Sequence, residues 1–425
     1  MRIAHFVQRY PPALGGSEAY FARLGRFLTA HGDGVRVFTS NAVDLSAFWS
    51  RHARTLPAGI SMEDGVEVER FACWRWPARR YLLKLLSLFP SQLWRCLTMP
   101  ASPTCFGMWR AARRFTEPLD IVHASAFPYG WPLACGLRLA RRRGVPFVLT
   151  PFLHLGDPDD PNDRTRRWYT TSHLRWLLRQ ADLVFAQTPT ERNAILGLDV
   201  VAERVILQGL GVDFDECTGG RREAARAAWQ TRDAVAVGLL ANQSVDKGSV
   251  DLLHAAETLW ARGVRVQVVL GGPEMPAFLR FWETFAPRVP PERVVRLGVL
   301  DERQKKDFFA GIDLFALPSR SDSFGLVLLE AHANGVATVG YRAGGVADVI
   351  VDGENGLLAR CGDVAALAEE IRRLAETPDL RRKMGEQGKI RAARDFRWGD
   401  KLNLVREQFA GLCSKMKGGR ADIGK

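Results

Sequence analysis

The sequence lacks the cysteine patterns that indicate a disulfide framework or a zinc site. Its seven cysteines are scattered over 425 residues, are odd in number and never form a CxxC pair. Such usage is typical of a reducing compartment. Long apolar runs are also missing, since no stretch reaches the roughly 18 apolar residues of a membrane span. The first residues, MRIAHFVQRYPP, have too short an apolar stretch for a signal peptide and are strand-like in composition. We therefore expect a cytoplasmic protein.

Two motifs of nucleotide-dependent enzymes are absent as well. No GxGxxG follows the first predicted strand with an acidic residue about 20 positions later, which argues against a nicotinamide-dependent oxidoreductase or a Rossmann binding module. The string DKGS lacks the GxxxxGK[ST] spacing of a phosphate-binding loop, which disfavours an NTPase.

Acidic residues are missing from Arg70 to Thr116, a stretch with nine Lys or Arg and four Trp. Together with a net charge of +12, this favours an anionic partner. Within the stretch, RRYLLKLLSLF combines a leucine-rich face with Arg79, Arg80 and Lys84, as interfacial helices do. Two interpretations stay open: a core helix with a solvated basic edge, or peripheral contact with the inner face of a membrane or a lipid-linked acceptor. Nucleic acid is disfavoured, because no nucleic-acid-binding motif accompanies the charge.

Short β-branched runs alternate with helical stretches, which predicts an α/β protein with parallel sheets and crossover helices. One series of strands runs from RIAHFV to VILQG, and a second runs from AVAVGLL to ATVGYR. A Gly-rich, charged stretch separates them. We therefore predict a first doubly wound domain over residues 1–212 and a second over 213–399. A helix over 400–412 is expected to pack back on the first domain, and the tail 413–425 to be disordered.

The turn RSDSFG follows the predicted strand LFALPS, and ligands of open α/β sheets lie beyond such strand ends. Gly325 lets a ligand approach the backbone, and backbone N–H groups at a helix start form an anion site. Asp322 and Glu330 lie up to roughly 12 Å apart along a helix axis, and carboxylates accept hydrogen bonds from sugar diols. The pattern predicts a site for a pyrophosphate flanked by two sugars. The residues predicted to bind the donor are Ser323 and, through their backbone N–H groups, Phe324, Gly325, Leu326 and Val327.

The whole run 319–358 resembles the signature of the family-four retaining glycosyltransferases, also called glycosyl transferases group 1. Serine, an acid, Phe-Gly, a second acid, ANG and AGGVADVIVDGENGLL stand in the family's order, and the resemblance covers nearly the whole chain. It implies the GT-B fold, two Rossmann-like doubly wound domains that face each other across a cleft. Asp322 stands where the family has Glu, a departure that we expect to alter the choice of donor.

Two further loops resemble donor-binding segments of that family. YPPALGGSEAYFARL is similar to its first strand-to-helix loop, in which Gly15 and Gly16 pass close to the donor phosphates and the acceptor. VGLLANQSVDKGSV resembles the segment with the phosphate-binding lysine, here Lys247. Leu239 replaces an arginine that usually follows the glycine. One diphosphate contact is thus lost or supplied elsewhere, with Arg320 and Asn242 as alternatives.

TPFLHLGD resembles the place of the family's active-site histidine, which implies His154 near the donor sugar and the acceptor. RLGVL is similar to the strand whose end offers backbone groups to the nucleotide base, which implies Gly298 and Val299. DIVHASAFPYG contains His123, for which a structural and a functional role both stay open. The loop AGGVADVI resembles the one that lies opposite the donor sugar.

Two Asp-x-Asp strings, at residues 157–159 and 213–215, raise the question of a metal ion. Neither stands at the end of a strand in a single-domain fold, and turn chemistry explains the first. We therefore expect no metal and no cofactor other than the donor substrate. Lys247, arginine side chains and helix N–H groups then neutralise the diphosphate.

The resemblance implies a hexosyltransferase that moves a sugar from UDP- or GDP-hexose to a hydroxyl of a glycan or lipid-linked acceptor. Cell-envelope polysaccharide or glycolipid synthesis is the expected setting. The candidate catalytic residues are then His154, Asp322 and Glu330. Retention by front-face attack would make the two acids binders and positioners, Glu330 for the donor ribose and Asp322 for the sugar hydroxyls, rather than the acid and base of a hydrolase. The alternative is a catalytically weak GT-B subunit of a glycosylation complex, supported by Asp322 and Leu239.

Overall fold

The computed structural model describes residues 1–422, with side chains as far as Met416. The chain divides into two compact units. The first consists of Met1–Leu153, Arg167–Gln208 and the chain from Leu402 onward, and the second of His154–Arg166 and Gly209–Lys401. The boundaries predicted at 212 and 399 lie within a few residues of two of these divisions. The membership of residues 154–166 in the second unit was not predicted.

The first unit is built on a sheet with the strand order β3-β4-β2-β1-β5-β6-β7-β8. Neighbouring strands are parallel except at the β3 edge, where Ser61 pairs antiparallel with Val68. The inner strands are buried along most of their length because helices cover both faces of a parallel sheet. The strands are β1 (Arg2–Phe6), β2 (Gly34–Ser40), β3 (Gly59–Glu63), β4 (Val66–Phe71), β5 (Ile121–Ala124), β6 (Phe147–Leu149), β7 (Leu183–Ala186) and β8 (Val205–Leu207).

Helices connect these strands as crossovers, and β4 is followed by an insertion of short helices before β5. The α-helices up to Gln208 are α1 (Gly16–Ala30), α2 (Arg79–Leu86), α3 (Gln92–Leu97), α4 (Phe106–Arg114), α5 (Gly130–Arg143), α6 (Arg164–Tyr169), α7 (Ser172–Gln180) and α8 (Pro189–Leu196). Short 3-10 helices occur at Leu45–Phe48 and Ala202–Arg204. In the core, the rings of Phe6 and Phe38 stack with their centroids 4.6 Å apart.

The second unit has an all-parallel sheet with the order β11-β10-β9-β12-β13-β14. Its strands are β9 (Val235–Leu240), β10 (Val266–Gly271), β11 (Val294–Gly298), β12 (Leu314–Leu317), β13 (Ala337–Tyr341) and β14 (Gly356–Ala359). Its helices are α9 (Phe214–Cys217), α10 (Arg222–Ala228), α11 (Ser249–Ala261), α12 (Pro276–Phe285), α13 (Glu302–Gly311), α14 (Leu326–Ala333), α15 (Val346–Val349), α16 (Val364–Glu376) and α17 (Pro378–Asp395), with 3-10 turns at Ala286–Arg288 and Pro291–Arg293.

The last helix, α18 (Trp398–Asp422), belongs to the first unit from Leu402 onward. The ring of Phe409 lies 5.4 Å from that of His123, and Arg406 pairs with Asp33 at 2.7 Å. The predicted disordered tail is wrong for residues 413–422, which continue this helix, while 423–425 lie outside the described residues. The buried stripe that contains Phe409 extends to Cys413, which fixes the start of this segment on the first unit.

Within residues 1–422, no helix combines the length and the apolar character needed to cross a bilayer.

Candidate functional site

The strand order of the second sheet reverses between β9 and β12. Strands β10 and β11 lie on one side of β9, and β12 to β14 lie on the other, so the loops after β9 and β12 diverge from adjacent strand ends. In open α/β sheets this switch point is where ligands bind. The two loops are joined here: the backbone N–H of Arg320 donates to the carbonyl of Asp246 at 2.9 Å, and Ser319 Oγ donates to the same oxygen at 3.2 Å.

This junction brings together Lys247 and Asp322. Lys247 Nζ lies 2.7 Å from Asp322 Oδ2, and both side chains are largely shielded from solvent. Burial alone would raise the pKa of Asp322, but the nearby Lys247 and His154 outweigh it, so the pKa lies below its ordinary value. Asp322 is therefore a carboxylate at neutral pH.

His154 completes this group, because its ring Nδ1 donates to the carbonyl oxygen of Ser321. Burial, with Lys247 as the next cause, lowers the pKa of His154, whereas Asp322 opposes the shift. The imidazole is therefore neutral at pH 7, with the proton on Nδ1 fixed by Ser321. Three residues that the sequence singled out on separate loops thus share one site within the second unit.

Glycines allow these loops to approach one another. Gly248, at the start of α11, has φ 78°, and a Cβ there would lie 2.1 Å from the carbonyl oxygen of Pro318. The N–H of Gly345 donates to the carbonyl of Asp322 at 2.8 Å, and a Cβ at Gly344 would meet that oxygen at 2.2 Å. The predicted AGGVADVI loop therefore supports the acidic loop by direct contact.

The predicted anion-binding turn leads into α14, which begins at Leu326 with Gly325 as its N-cap at φ 88°. Phe324 is buried, and its ring lies 6.0 Å from that of Phe396, which anchors the turn. The backbone of Phe324 hydrogen-bonds the Asp322 carboxylate and so helps to lower the pKa of that acid. The first turn of a helix has N–H groups without intrahelical partners, and at α14 these belong to residues 326 and 327.

Glu330 lies on α14 and pairs with Lys305 of α13, whose Nζ is 2.5 Å from Oε1. Within the described residues, the buried Oε2 atom of Glu330 has no hydrogen-bond partner. Lys305 was missed by sequence reasoning, because it stands in a charged helix, ERQKKDFFAG, with no motif to mark it.

Gly298 ends β11 with φ 66°, and its carbonyl accepts the N–H of Gly272 at 2.6 Å. Val299, the next residue, is exposed. These two residues therefore lie at the carboxyl edge of the second sheet, on the far side of β10 from the switch point.

Leu239 is fully buried in the apolar core of the second unit and brings no charge to the strand end. Arg320 and Asn242 are the two proposed substitutes for the missing arginine. Arg320 donates to Asp251 Oδ2 at 2.6 Å, an oxygen that also accepts a hydrogen bond from Tyr341 at 3.0 Å. Asn242 is exposed on the loop after β9. Arg320 is thus engaged within the protein, while the Asn242 amide faces solvent.

In the first unit, Gly15 caps α1 and Gly16 begins it. A Cβ at Gly15 would lie 2.2 Å from Oε2 of Glu18, a buried carboxylate that pairs with Arg9 at 2.7 Å. His123 is buried, and its Nε2 lies 2.8 Å from Thr150 Oγ1. Burial, with His5 as a second cause, holds the pKa of His123 well below its ordinary value. The surroundings of His123 are those of a core histidine.

The basic helix α2 corrects one prediction. Arg79, predicted to face an acceptor or a membrane, is fully buried and donates to the carbonyls of Pro100 and Ser102 and to Thr104 Oγ1. The reason is that α2 turns this position inward, where the long side chain reaches backbone oxygens of the following loop. Arg80 and Lys84 are exposed, as predicted for a solvent-facing basic edge.

Both Asp-x-Asp strings have local roles. Asp157 Oδ1 accepts the N–H of Asp159 at 2.9 Å in a turn, and Asp213 Oδ1 accepts the N–H of Asp215 at 3.0 Å as the N-cap of α9. In the described part of the chain, no group of three or more His, Cys, Asp or Glu side chains is arranged to hold a metal ion.

Two α/β units, each built on a largely parallel sheet, define a class of fold. The structure is similar to that of HepE from Anabaena in complex with UDP-glucose, with a TM-score of 0.71 and 18% identity over 97% of this chain and all of that one. Sucrose-phosphate synthase from Thermosynechococcus elongatus gives a TM-score of 0.70 with 20% identity, over 96% of this chain and 99% of that one. The fold is GT-B.

Sequence comparisons place the chain within this class. The model of the glycosyl transferases group 1 family matches residues 225–391, and that of the glycosyl transferase 4-like domain matches residues 15–211. The D-inositol 3-phosphate glycosyltransferase of Saccharomonospora viridis is 30% identical over 70% of this chain and 72% of that protein. The one from Nocardia farcinica is 30% identical over 58% of this chain, and the match spans 56% of that protein's length. The chain belongs to the group 1 glycosyltransferases.

Proposed function

We propose that this protein is a retaining hexosyltransferase that uses a nucleoside diphosphate sugar, UDP- or GDP-hexose, as its donor. The observation that carries the proposal is the convergence of Lys247, Asp322 and His154 at the switch point of the second sheet. The relatives named as D-inositol 3-phosphate glycosyltransferases support glycosyl transfer. The similar fold crystallised with UDP-glucose supports the choice of donor.

Each charged group then has a distinct task. Lys247 and the N–H groups in the first turn of α14 neutralise the charge that grows on the leaving diphosphate. Asp322 accepts hydrogen bonds from hydroxyls of the donor sugar. Glu330 binds the ribose, because its buried Oε2 lacks a hydrogen-bond partner among the described residues, and a ribose diol supplies donors for such an oxygen.

Retention follows from front-face attack, in which the acceptor oxygen bonds to the anomeric carbon on the side that the diphosphate leaves. The departing phosphate oxygen takes the acceptor proton, so no carboxylate nucleophile is required. His154 is neutral, and its Nδ1–H donates to the Ser321 carbonyl, which fixes the orientation of the ring. In this proposal the ring lies at the reacting centre. In this proposal the reaction needs neither a metal ion nor a cofactor, because Lys247 and the helix N–H groups supply the positive potential.

We further propose a glycan or lipid-linked acceptor in cell-envelope polysaccharide or glycolipid synthesis, and peripheral association with the inner face of the membrane. The support is the exposed surface of α2, α3 and the turn between them, residues 79–97. It carries Arg80 and Lys84 together with exposed apolar side chains: Tyr81, Leu85, Leu88, Phe89 and Trp94. Basic and apolar groups in one short segment are typical of interfacial elements.

A catalytically weak binding subunit is the second candidate, because the buried Leu239 leaves the strand end without the usual arginine. The two candidates differ in turnover. An inactive subunit would bind a nucleotide sugar without releasing nucleoside diphosphate in the presence of any acceptor or of water.

The test begins with a thermal-shift screen of nucleotide sugars, followed by the Glu330→Gln variant. Losing a charge-assisted hydrogen bond is worth about 1.5–3 kcal/mol, so we expect donor affinity to fall about 10- to 100-fold. Glu386→Gln, an exposed acid on α17, is the matched control, and Lys305→Ala removes the ion pair while it keeps the carboxylate. Affinity and turnover at the wild-type level in Glu330→Gln would rule out the assigned role.

A further inference from the structure

A second polar cavity lies within the first unit, where α3, α6 and α7 meet. Its volume is about 550 Å³, and its walls include Arg167, Arg175, Arg179, Gln92, Thr171 and Ser172. We call this cavity the arginine pocket. None of these residues belongs to the donor site proposed above, and no motif in the sequence marks them.

The pocket has an excess of positive charge. Asp199 pairs with Arg179 at 2.6 Å, and Arg175 donates through Nε to the carbonyl of Thr170 at 2.6 Å. Within residues 1–422, the side chain of Arg167 forms neither an ion pair nor a hydrogen bond. Among the described residues, Asp199 is the one carboxylate that pairs with any of these three guanidinium groups. Donor atoms are left for a ligand, because each guanidinium carries five N–H donors. Such planar forks match phosphate oxygens in pairs.

One further atom points to a ligand with hydroxyl groups. The side-chain oxygen of Gln92 is buried without a hydrogen-bond partner in the described part of the chain. An unsatisfied buried acceptor is unfavourable, and a hydroxyl donor would satisfy it. The pocket is thus suited to a phosphate that carries a neighbouring hydroxyl.

The pocket is continuous with the apolar segment 79–97. Arg95 of α3 donates to Ser172 Oγ at 3.4 Å, and Cys96 Sγ donates to the carbonyl of His173 at 3.7 Å, which joins α3 to α7. On the same segment, Leu88 and Phe89 are 72% and 59% exposed, and Trp94 Nε1 donates to the carbonyl of Leu86 at 2.8 Å. An ordered, exposed apolar surface therefore adjoins a cationic pocket.

The topology places the segment 79–97 and the start of α7 toward one edge of the first sheet, while the end of α7, with Arg179, runs toward the opposite edge. The segment 79–97 follows β4, and α7 is the crossover helix that leads into β7, so both start from the carboxyl edge. This is the edge at which open α/β sheets bind substrates.

We propose that the arginine pocket binds the phosphate group of a membrane lipid that serves as sugar acceptor, while Leu88 and Phe89 enter the bilayer. The proposal rests on the proposed function for its acceptor role. Charge complementarity carries the choice of ligand: exposed apolar side chains beside an arginine cluster match an amphiphile with an anionic headgroup. A phosphate compound without a lipid chain would leave Leu88 and Phe89 unexplained.

The test is cosedimentation of the full chain with vesicles of phosphatidylcholine, either pure or mixed with phosphatidic acid. We expect preference for the phosphatidic acid vesicles, and Arg167→Gln/Arg175→Gln should lower that binding by about 25-fold, about fivefold for each charge near an anionic surface. Arg113→Gln/Arg114→Gln makes the same charge change on α4, which ends at the opposite edge of the sheet, and should change binding little. The single variant Arg167→Gln keeps the test valid if Arg175→Gln fails to fold.

Two further measurements separate the outcomes. Leu88→Ser/Phe89→Ser should weaken binding to phosphatidic acid vesicles while the protein keeps its melting temperature. Thermal stabilisation by inorganic phosphate without vesicle binding would overturn the lipid assignment, and an unchanged vesicle preference in the arginine variants would overturn the pocket. The thermal shift of the wild-type protein with UDP and GDP is recorded in parallel. Its absence would contradict the proposed donor, whereas loss of vesicle binding alone would contradict only the lipid site.

Discussion

Lys247 and Asp322, 75 residues apart in sequence, are joined by an ion pair of 2.7 Å between Nζ and Oδ2. The pair links the loops after two adjacent strands at the switch point of the second sheet. Lys247 is the proposed partner of the diphosphate, and Asp322 is the proposed partner of the donor sugar. The ion pair therefore holds these two proposed donor-binding side chains against each other, where the sugar joins the diphosphate.

Lys247→Met should remove the cation while it keeps the aliphatic stem. We expect kcat/KM for the nucleotide sugar to fall about 10²- to 10³-fold, the range found when a preorganised donor to a developing negative charge is removed. The measurement is release of UDP or GDP, with circular dichroism to check the fold. Lys383→Met, an exposed lysine of α17, is the matched control. Turnover close to the wild-type rate in Lys247→Met would contradict the assignment.

Gly248→Ala should damage both stability and turnover. The residue has φ 78°, which is unfavourable for alanine by about 1–2 kcal/mol, and its Cβ would also meet the Pro318 carbonyl at 2.1 Å. Gly263 has the same φ, but a Cβ there has nothing within 4 Å. In denaturant unfolding, we expect Gly248→Ala to lose about 1–3 kcal/mol more than Gly263→Ala, because overpacking adds to the strain. Equal losses in the two variants would mean that the close approach of the loops is unimportant.

Much of the fold was predictable because strands of parallel sheets are buried on both faces and read as apolar runs. The sequence predicted the runs that became β1, β2 and β4 to β13. It missed β3, the antiparallel edge strand, because GISME alternates weakly and is mostly exposed. It also missed β14, because GLLA contains no β-branched or aromatic residue to mark a strand.

The parts of the site that could be predicted are the loops in which glycine is required. Gly248, Gly325 and the loop with Gly345 stand where a side chain would be strained or would collide, so glycine in these places signals a built loop. Lys305, the partner of Glu330, gave no such signal, because a lysine in a charged helix is ordinarily solvated. The arginine pocket was equally hidden, since Gln92 and Arg167 meet only through tertiary packing.

Arg79 shows how a correct pattern can hide a different role. Arg79→Met should lower the free energy of unfolding by about 2–4 kcal/mol, because buried oxygens of Pro100, Ser102 and Thr104 lose their donor. Its neighbours on the exposed face behave differently. Arg80→Met/Lys84→Met should change stability by less than about 0.5 kcal/mol and reduce binding to anionic vesicles. If Arg79→Met kept its stability but lost vesicle binding, Arg79 would contact the membrane, as the sequence predicted.

His5 is expected to make the first unit sensitive to acid. The residue is fully buried in β1, and burial lowers the pKa of His5 to about 3. An unfolded chain binds a proton at this histidine below a pKa of about 6.5, whereas the folded chain does not. The free energy of unfolding therefore falls with decreasing pH, by about 1.4 kcal/mol per pH unit between about 6.5 and 3.

His5→Leu removes this proton linkage and keeps an apolar side chain beside Phe21 and His123. Between pH 7 and pH 5, we expect the wild-type protein to lose about 2 kcal/mol more than the variant in urea unfolding. The exposed His52→Gln serves as the control, with the same pH dependence as the wild type. Because His123 is also held neutral by burial, some acid sensitivity remains in the variant. Identical pH profiles for the wild type and His5→Leu would contradict this prediction, because they would mean that the pKa of His5 is not lowered in the folded chain.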